Sequence, residues 1–176
     1  MNKKKVLEKI FVHPLSLIPS EIGVFIRMYA YRFIFRKMGC NVRIKESVVL
    51  KHLYNLEIGD CTNINQFCFI NAMGGVKIGK FCEIAPSVAL VSFNYRVDKL
   101  PIPYTYQGKE KKPIILGDNI WLGTKVTVVA GVTIGENSII GANSVVTNDI
   151  PPNCMAVGSP AKIIKVFKDG KWQIMP

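Results

Sequence analysis

The sequence predicts an all-β solenoid, and three observations carry that expectation. An aliphatic residue recurs at every sixth position across 116–149: Leu116, Leu122, Val128, Ile134, Ile140 and Val146. The same spacing runs upstream through Ile44 and Leu50, then Ile58, Ile64 and Ile70, then Ile78, Ile84 and Leu90. The breaks in the pattern, after Leu50, Ile70 and Leu90, are themselves regular.

A period of six is neither 3.6 nor 2, so neither an amphipathic helix nor one half-buried strand explains it. Short strands joined by tight turns do. Three hexads close one triangular coil, with one aliphatic side chain per face turned inward and small residues at the turns. Stacked coils then pair as parallel strands about 4.8 Å apart. Each break follows the third hexad of a coil, which puts all three at one corner of the prism. The last break throws out a loop over 96–113. A loop of that length in a compact repeat usually carries function.

The ends of the chain read differently. Residues 1–40 are expected to form an N-terminal helical segment, with a helix from Ser20 as N-cap to Gly39 as stop and Arg36 and Lys37 in its last turn. Arg27 and Arg32 interrupt its apolar run, which argues against a membrane span. Two roles are open for it: capping the solenoid, or peripheral contact of residues 20–38 with a membrane surface. The solenoid is expected over 41–150. Pro151 and Pro152 end it, and 151–176 form a tail that covers its open end.

Composition narrows the partners. The net charge of +11 lies mainly in the terminal segments, which suits a phosphorylated cofactor or acidic lipid. Nucleic-acid binding would rest on charge alone, with no recognised module, and is not expected. Five cysteines without a CxxC pair, and only His13 and His52, give no zinc-ligand spacing, so no metal is expected. The odd cysteine count, with Glu8 and His13 breaking any secretory apolar run, points to a reducing cytosol, including its membrane surface.

Four stretches carry a resemblance. "FIRMYAYRFIFRKMGCNVRI" at 25–44, "WLGTKVTVVAGVTIG" at 121–135, "IIGANSVVTNDIPP" at 139–152 and "AVGSPAKII" at 156–164 resemble the hexapeptide-repeat acyltransferases. Within that family the chain is most similar to the sugar O-acetyltransferases of bacterial polysaccharide synthesis. The resemblance implies a left-handed parallel β-helix assembled as a homotrimer. Acetyl-coenzyme A would lie between neighbouring prisms, and the acceptor would be a sugar or a lipid-linked saccharide.

The chemistry sets its own requirements. A sugar hydroxyl is a poor nucleophile at neutral pH, so a base must take its proton. A fixed N–H must meet the charge that develops on the thioester oxygen. In the family the base is the histidine of an S-x-N-H stretch, partnered by an asparagine about thirty residues earlier. That asparagine corresponds to Asn65. The resemblance further implies the Thr124 backbone amide, after the turn Trp121-Leu122-Gly123, as oxyanion donor. Trp121, Gly123, Gly141, Ala142 and Thr147 would line the cofactor. Lys162, with Lys125 and Lys165 as further candidates, would meet its phosphates.

One position departs from the family. The stretch reads Ser92-Phe93-Asn94-Tyr95, and residues 53–176 contain no histidine. A tyrosine phenol, with a reference pKa of about 10, is roughly 0.1% ionised at pH 7. Three readings follow. The first is an enzyme using Tyr95, Asp98 or a group supplied by the acceptor. The second is a catalytically impaired relative, acting as a coenzyme A- or sugar-binding protein or as a structural trimeric scaffold. The third is a substitution in an otherwise ordinary enzyme. Zinc carbonic anhydrase chemistry would need three histidine ligands, which two misplaced histidines do not supply.

Overall fold

The computed structural model describes residues 6–175. Its body is a parallel β-helix with three faces. The first face stacks Lys37–Met38, Leu56–Ile58, Val76–Ile78, Ile114–Leu116 and Thr133–Ile134. On the second face, Arg43–Ile44, Asn63–Ile64, Glu83–Ile84, Trp121–Leu122 and Ile139–Ile140 are stacked, and Cys154–Gly158 adds a sixth parallel strand. Val49–Lys51, Phe69–Asn71, Ala89–Val91, Thr127–Val128 and Val145–Val146 make the third.

The aliphatic series fills the interior. Ile64, Ile70, Ile84, Leu90, Leu122, Val128, Ile134, Ile140 and Val146 are all buried, and they share one core with their neighbours above and below. The corners need left-handed backbone, usually supplied by asparagine, serine or a similar short side chain. Asn41, Cys61, Phe81, Asn119, Asn137 and Asn153 take positive φ at one corner, and Ser47, Phe67, Ser87, Lys125 and Asn143 at the next. Close stacking also demands glycine. A Cβ added at Gly79 would lie 2.4 Å from the Gly117 carbonyl oxygen of the next coil. Three cysteines join the core. Burial pushes the Cys68 thiol up to about 11 and raises those of Cys82 and Cys154, so these are inert space-filling groups.

All three breaks in the repeat fall at the corner between the third and first faces. The first two are filled by a short turn at Leu53–Asn55 and a bend around Gly74 and Gly75. The third is partly ordered. Phe93–Tyr95 pairs antiparallel with Lys109–Lys111, so the expected loop is a hairpin with an irregular tip. Gln107 is buried in that tip, donating to the Ile102 carbonyl and accepting from the Lys99 N–H.

The N-terminal helix is shorter than the sequence suggests. It runs Ser20–Ala30 and ends in a tight turn at Tyr31–Phe33. Ser20 is its first residue, with φ of 69°, and Pro19 occupies the cap position. Arg36 and Lys37 lie in no helical turn. Lys37–Met38 pairs with Leu56–Ile58, and the Gly39 N–H donates to the Ile58 carbonyl. Parallel pairing on the growing sheet overrides helix propensity there, so the solenoid starts before residue 40.

Arg27 pins this helix to the first coil. It is fully buried, and its Nε donates to the Ile44 carbonyl at 2.8 Å. Its Nη1 donates to the carbonyls of Leu15 and Ile18 at 2.8 and 2.7 Å. Nη2 has no partner among the described residues. Tyr31 adds a bond from its hydroxyl to the Val12 carbonyl, and Glu8 accepts from the N–H groups of His52 and Leu53. Among the described residues, no helix is long and apolar enough to cross a membrane.

At the far end, Ala161–Lys168 and Lys171–Ile174 continue the second face as an antiparallel hairpin, turning at Asp169 and Gly170.

Candidate active site

The second face gathers most of the residues singled out in the sequence. Its outward side chains form two columns, because residues flanking each inward aliphatic point out. The strand register places Asn63, Glu83, Trp121, Ile139 and Met155 one above another. Two residues along, the same register stacks Asn65, Ala85, Gly123 and Gly141. The second column has almost no side chains above Asn65, so it is a trough bordered by Trp121 and Ile139.

Glycine is required in that trough. A Cβ at Gly123 would lie 2.7 Å from the Ala142 nitrogen, and one at Gly141 would lie 2.6 Å from Val157 Cγ1. Val157 in turn pairs with Lys162, whose side chain is exposed. Lys125 is exposed at the corner beside Thr124, while Lys165 is half-buried opposite Met155.

Thr124 is exposed in the turn after Trp121-Leu122-Gly123. The neighbouring amides of Gly123, Lys125 and Val126 all find carbonyls. Among the described residues, the Thr124 N–H meets no backbone acceptor. An exposed N–H beside a side-chain-free trough is free to bind a ligand oxygen.

Below Trp121 the face becomes polar. Asn65 Nδ2 donates to Glu83 Oε1 at 2.7 Å and to the Ile84 carbonyl at 2.9 Å. Asn63 Nδ2 donates to Glu83 Oε2 at 2.8 Å. The Asn65 amide nitrogen is thus committed to protein groups, while its Oδ1 takes no hydrogen bond among the described residues. Asn63 and Glu83 are not among the residues that the sequence alone singles out. Their signal was the twenty-residue spacing that separates one coil from the next at this level of the solenoid.

Trp121 also borders a cleft of ≈ 490 Å³ that reaches the C-terminal hairpin. Asn119, Asn137 and Asn153 line its other side in a hydrogen-bonded ladder at 3.0 and 3.1 Å. Phe167 and Trp172 close it, edge to face at 5.3 Å between centroids. Aromatic faces and side-chain amides of this kind suit a flat heteroaromatic ring.

Not every singled-out residue lies on this face. Tyr95 projects from the hairpin at the corner between the third and first faces, 44% exposed. Its ring packs on Phe93 at 6.0 Å, with Lys109 Nζ 5.1 Å from its centroid. Asp98 is exposed in the hairpin tip and pairs with Arg96 at 3.5 Å. Thr147 is exposed one corner beyond Gly141 and Ala142. Within one chain, therefore, Asn65 and Tyr95 occupy different sides of the prism.

The comparisons with known proteins agree in kind. The sequence pattern of the family described as "Bacterial transferase hexapeptide (six repeats)" matches residues 113–148. The galactoside O-acetyltransferase of Escherichia coli K12 is 35% identical over 155 residues, which is 86% of this chain and 72% of that protein. Other relatives are longer, and the chain spans 40% to 60% of their lengths. A maltose O-acetyltransferase from Clostridium difficile 630 superposes with a TM-score of 0.83 at 28% identity, covering 95% of this chain and 87% of that one. A hexapeptide-repeat-containing acetyltransferase from Vibrio cholerae, complexed with acetyl-coenzyme A, superposes with a TM-score of 0.82 at 27% identity. The coverage there is 94% and 86%.

Proposed function

Because the chain belongs to the family of hexapeptide-repeat acetyltransferases, we propose that it moves an acetyl group from acetyl-coenzyme A to a sugar hydroxyl in surface-polysaccharide synthesis. The single observation that carries this reading is the trough on the second face. It is kept clear by Gly123 and Gly141, walled by Trp121, and overlooked by the Thr124 N–H, which meets no backbone acceptor among the described residues. A thin, flexible pantetheine arm fits such a channel, and the named acetyltransferase relatives act on galactosides and maltose.

Bound coenzyme supplies an activated acetyl thioester. The chain's own groups do the rest. Gly123, Gly141 and Ala142 would bed the arm, and Trp121 would hold it on one side. Lys162, with Lys125, would meet its phosphates, and Thr147 would approach from the adjoining corner of a neighbouring subunit. The Thr124 N–H would meet the negative charge that grows on the carbonyl oxygen. Asn65, its nitrogen already engaged, would accept a hydroxyl hydrogen of the acceptor through Oδ1. Tyr95 stands where the family keeps its base. In a homotrimer its hairpin would reach across the subunit cleft to the neighbour's second face and contact the acceptor.

Calorimetric titration with acetyl-coenzyme A tests the reading. Binding in the micromolar range is expected, and Trp121→Ala should weaken it about tenfold, the scale of one well-packed aromatic contact. Silence at millimolar coenzyme would sink the proposal. Tyr95 itself favours a second reading, an impaired relative that binds coenzyme without transfer. Tight binding with no product on any sugar would support that one.

The N-terminal segment supports a cytoplasmic enzyme that touches the membrane surface. Ile22, Phe25, Tyr29 and Phe33 are 70, 59, 51 and 75% exposed, beside the cations Arg32 and Arg36. An apolar cleft of ≈ 450 Å³ between Phe11 and Phe33 adjoins them. The protein should co-sediment with vesicles rich in anionic lipid, and Phe25→Ser with Phe33→Ser should release it. Equal recovery with neutral and anionic vesicles would leave the segment a cap for the solenoid.

A further inference from the structure

The family position for the base holds a tyrosine, yet the second face carries a carboxylate that the reaction as described does not use. We propose that Glu83 is the general base of the transfer, an assignment that rests on the acetyltransferase reading above.

Four observations converge on it. Glu83 lies directly below Trp121 in the strand register, one coil from the turn that presents the Thr124 N–H. Adjacent coils are about 4.8 Å apart and the turn lies three residues further along, above Pro86, so the carboxylate and that N–H would meet different atoms, the acceptor hydroxyl and the thioester oxygen. Second, the carboxylate is fixed in orientation. Asn63 holds Oε2 and Asn65 holds Oε1, each through a side-chain amide. Each oxygen retains a lone pair for a hydroxyl hydrogen. Third, no Lys, Arg or His nitrogen among the described residues comes within salt-bridge distance of Glu83. Glu21, Glu57 and Asp60 have such partners, whereas Glu46 resembles Glu83 in being held by a side-chain amide, that of Gln66. A half-buried carboxylate set between two asparagines and a tryptophan, with no cation, adds little to stability. Its placement suits a group that must receive a proton. Fourth, Asn65 joins it to the acceptor's expected position, since the same amide that orients Glu83 leaves Asn65 Oδ1 for a second hydroxyl.

The rival bases are placed less well. Within its own chain Tyr95 stands at another corner and reaches an acceptor only on a neighbouring subunit, and Asp98 is engaged by Arg96. A carboxylate is also in its proton-accepting form at neutral pH, although weakly basic, whereas a phenol is almost wholly protonated.

The step balances as follows. The acceptor O–H bond breaks and its proton passes to Glu83. A new C–O ester bond forms at the acetyl carbonyl, and the C–S bond breaks with its electron pair leaving on sulfur. Glu83 then returns the proton to the departing thiolate, directly or through water, so that the products are the acetyl ester and free coenzyme A thiol and the carboxylate ends as it began.

The test compares the full-length protein with Glu83→Gln and Glu83→Ala. Each is assayed with acetyl-coenzyme A and a panel of a galactoside, maltose and N-acetylglucosamine. Glu83→Gln should lower kcat by about 10²- to 10⁴-fold, the usual loss for a general base. KM and calorimetric coenzyme binding should stay within about twofold. The parent rate should fall at acid pH as the base is protonated, and Glu83→Gln should lose that limb. Added formate should restore part of the Glu83→Ala rate by taking the vacated place. A rate for Glu83→Gln within about fivefold of the parent overturns the assignment. So does a slower variant that keeps the parent's acid limb and ignores formate, because a merely structural carboxylate behaves that way. If the parent binds coenzyme but transfers nothing, Glu83 is no base and the impaired-relative reading takes over. If the parent does not bind coenzyme, the acetyltransferase reading itself fails.

Discussion

Transfer lost in Glu83→Gln is expected to return, by about tenfold or more, when Tyr95→His is added to the same chain. The expectation follows from having two addresses for one proton. The first is the carboxylate held by Asn63 and Asn65 on the second face. The second is the hairpin position that the family resemblance assigns to a histidine. An imidazole there titrates near pH 6.5 in its reference state, so it can accept a proton where a phenol cannot. The double variant should also show an acid limb displaced upward toward that value. The steady-state rate and its pH profile, measured on the acceptor that the parent uses best, check both parts. Failure of the histidine to help would mean that the hairpin does not reach the acceptor, and would remove Tyr95 from the site.

The second large effect concerns stability. Arg27→Met should destabilise the protein by about 3 kcal/mol, because one buried and two part-buried carbonyls lose their donor at about 1–3 kcal/mol each. One opposing term is real. The guanidinium is fully buried without a carboxylate partner, and removing it relieves that cost. The carbonyls prevail because Ile44, Leu15 and Ile18 sit where the helix meets the first coil. Methionine offers them no donor. A melting midpoint lower by roughly 6–12 °C would agree, given about 2–4 °C per kcal/mol at this size. Arg27→Lys should recover less than half of the loss, since one ammonium cannot span three carbonyls on two elements. An unchanged midpoint in Arg27→Met would show that desolvation of the cation cancels its bonds.

Much of the fold was legible because the repeat is its own signal. The six-residue spacing of Ile58, Ile64, Ile70 and their successors can be met in few ways, and its breaks identify the corner that carries the hairpin. The N-terminal boundary was not legible. Arg36, Lys37 and Gly39 have the chemistry of a helix end, but the open edge of Leu56–Ile58 captures Lys37–Met38 as a strand. Local preference of a few tenths of a kcal/mol per residue yields to a parallel ladder there. The site was half legible. Trp121, Gly123 and Thr124 announce themselves as one contiguous turn. Glu83 does not, because its partners Asn63 and Asn65 are near it only after one full coil has closed. Its acidic side chain also reads as ordinary surface in the linear sequence.

The prism is held together almost wholly by contacts between adjacent coils, and its hydrophobic column has no second layer behind it. Such an object opens as a zipper does, from its ends, and each end is clamped by different chemistry: Arg27 and Tyr31 at one, the Ala161–Ile174 hairpin at the other. Glu83 and Thr124 belong to the third and fourth coils, with further coils on both sides. Fraying that loosens Lys37–Ile44 or the C-terminal strands therefore leaves their spacing untouched. Opening of the C-terminal hairpin would cost the proposed coenzyme contacts of Lys162 first, while the spacing of Glu83 and Thr124 is the last to go.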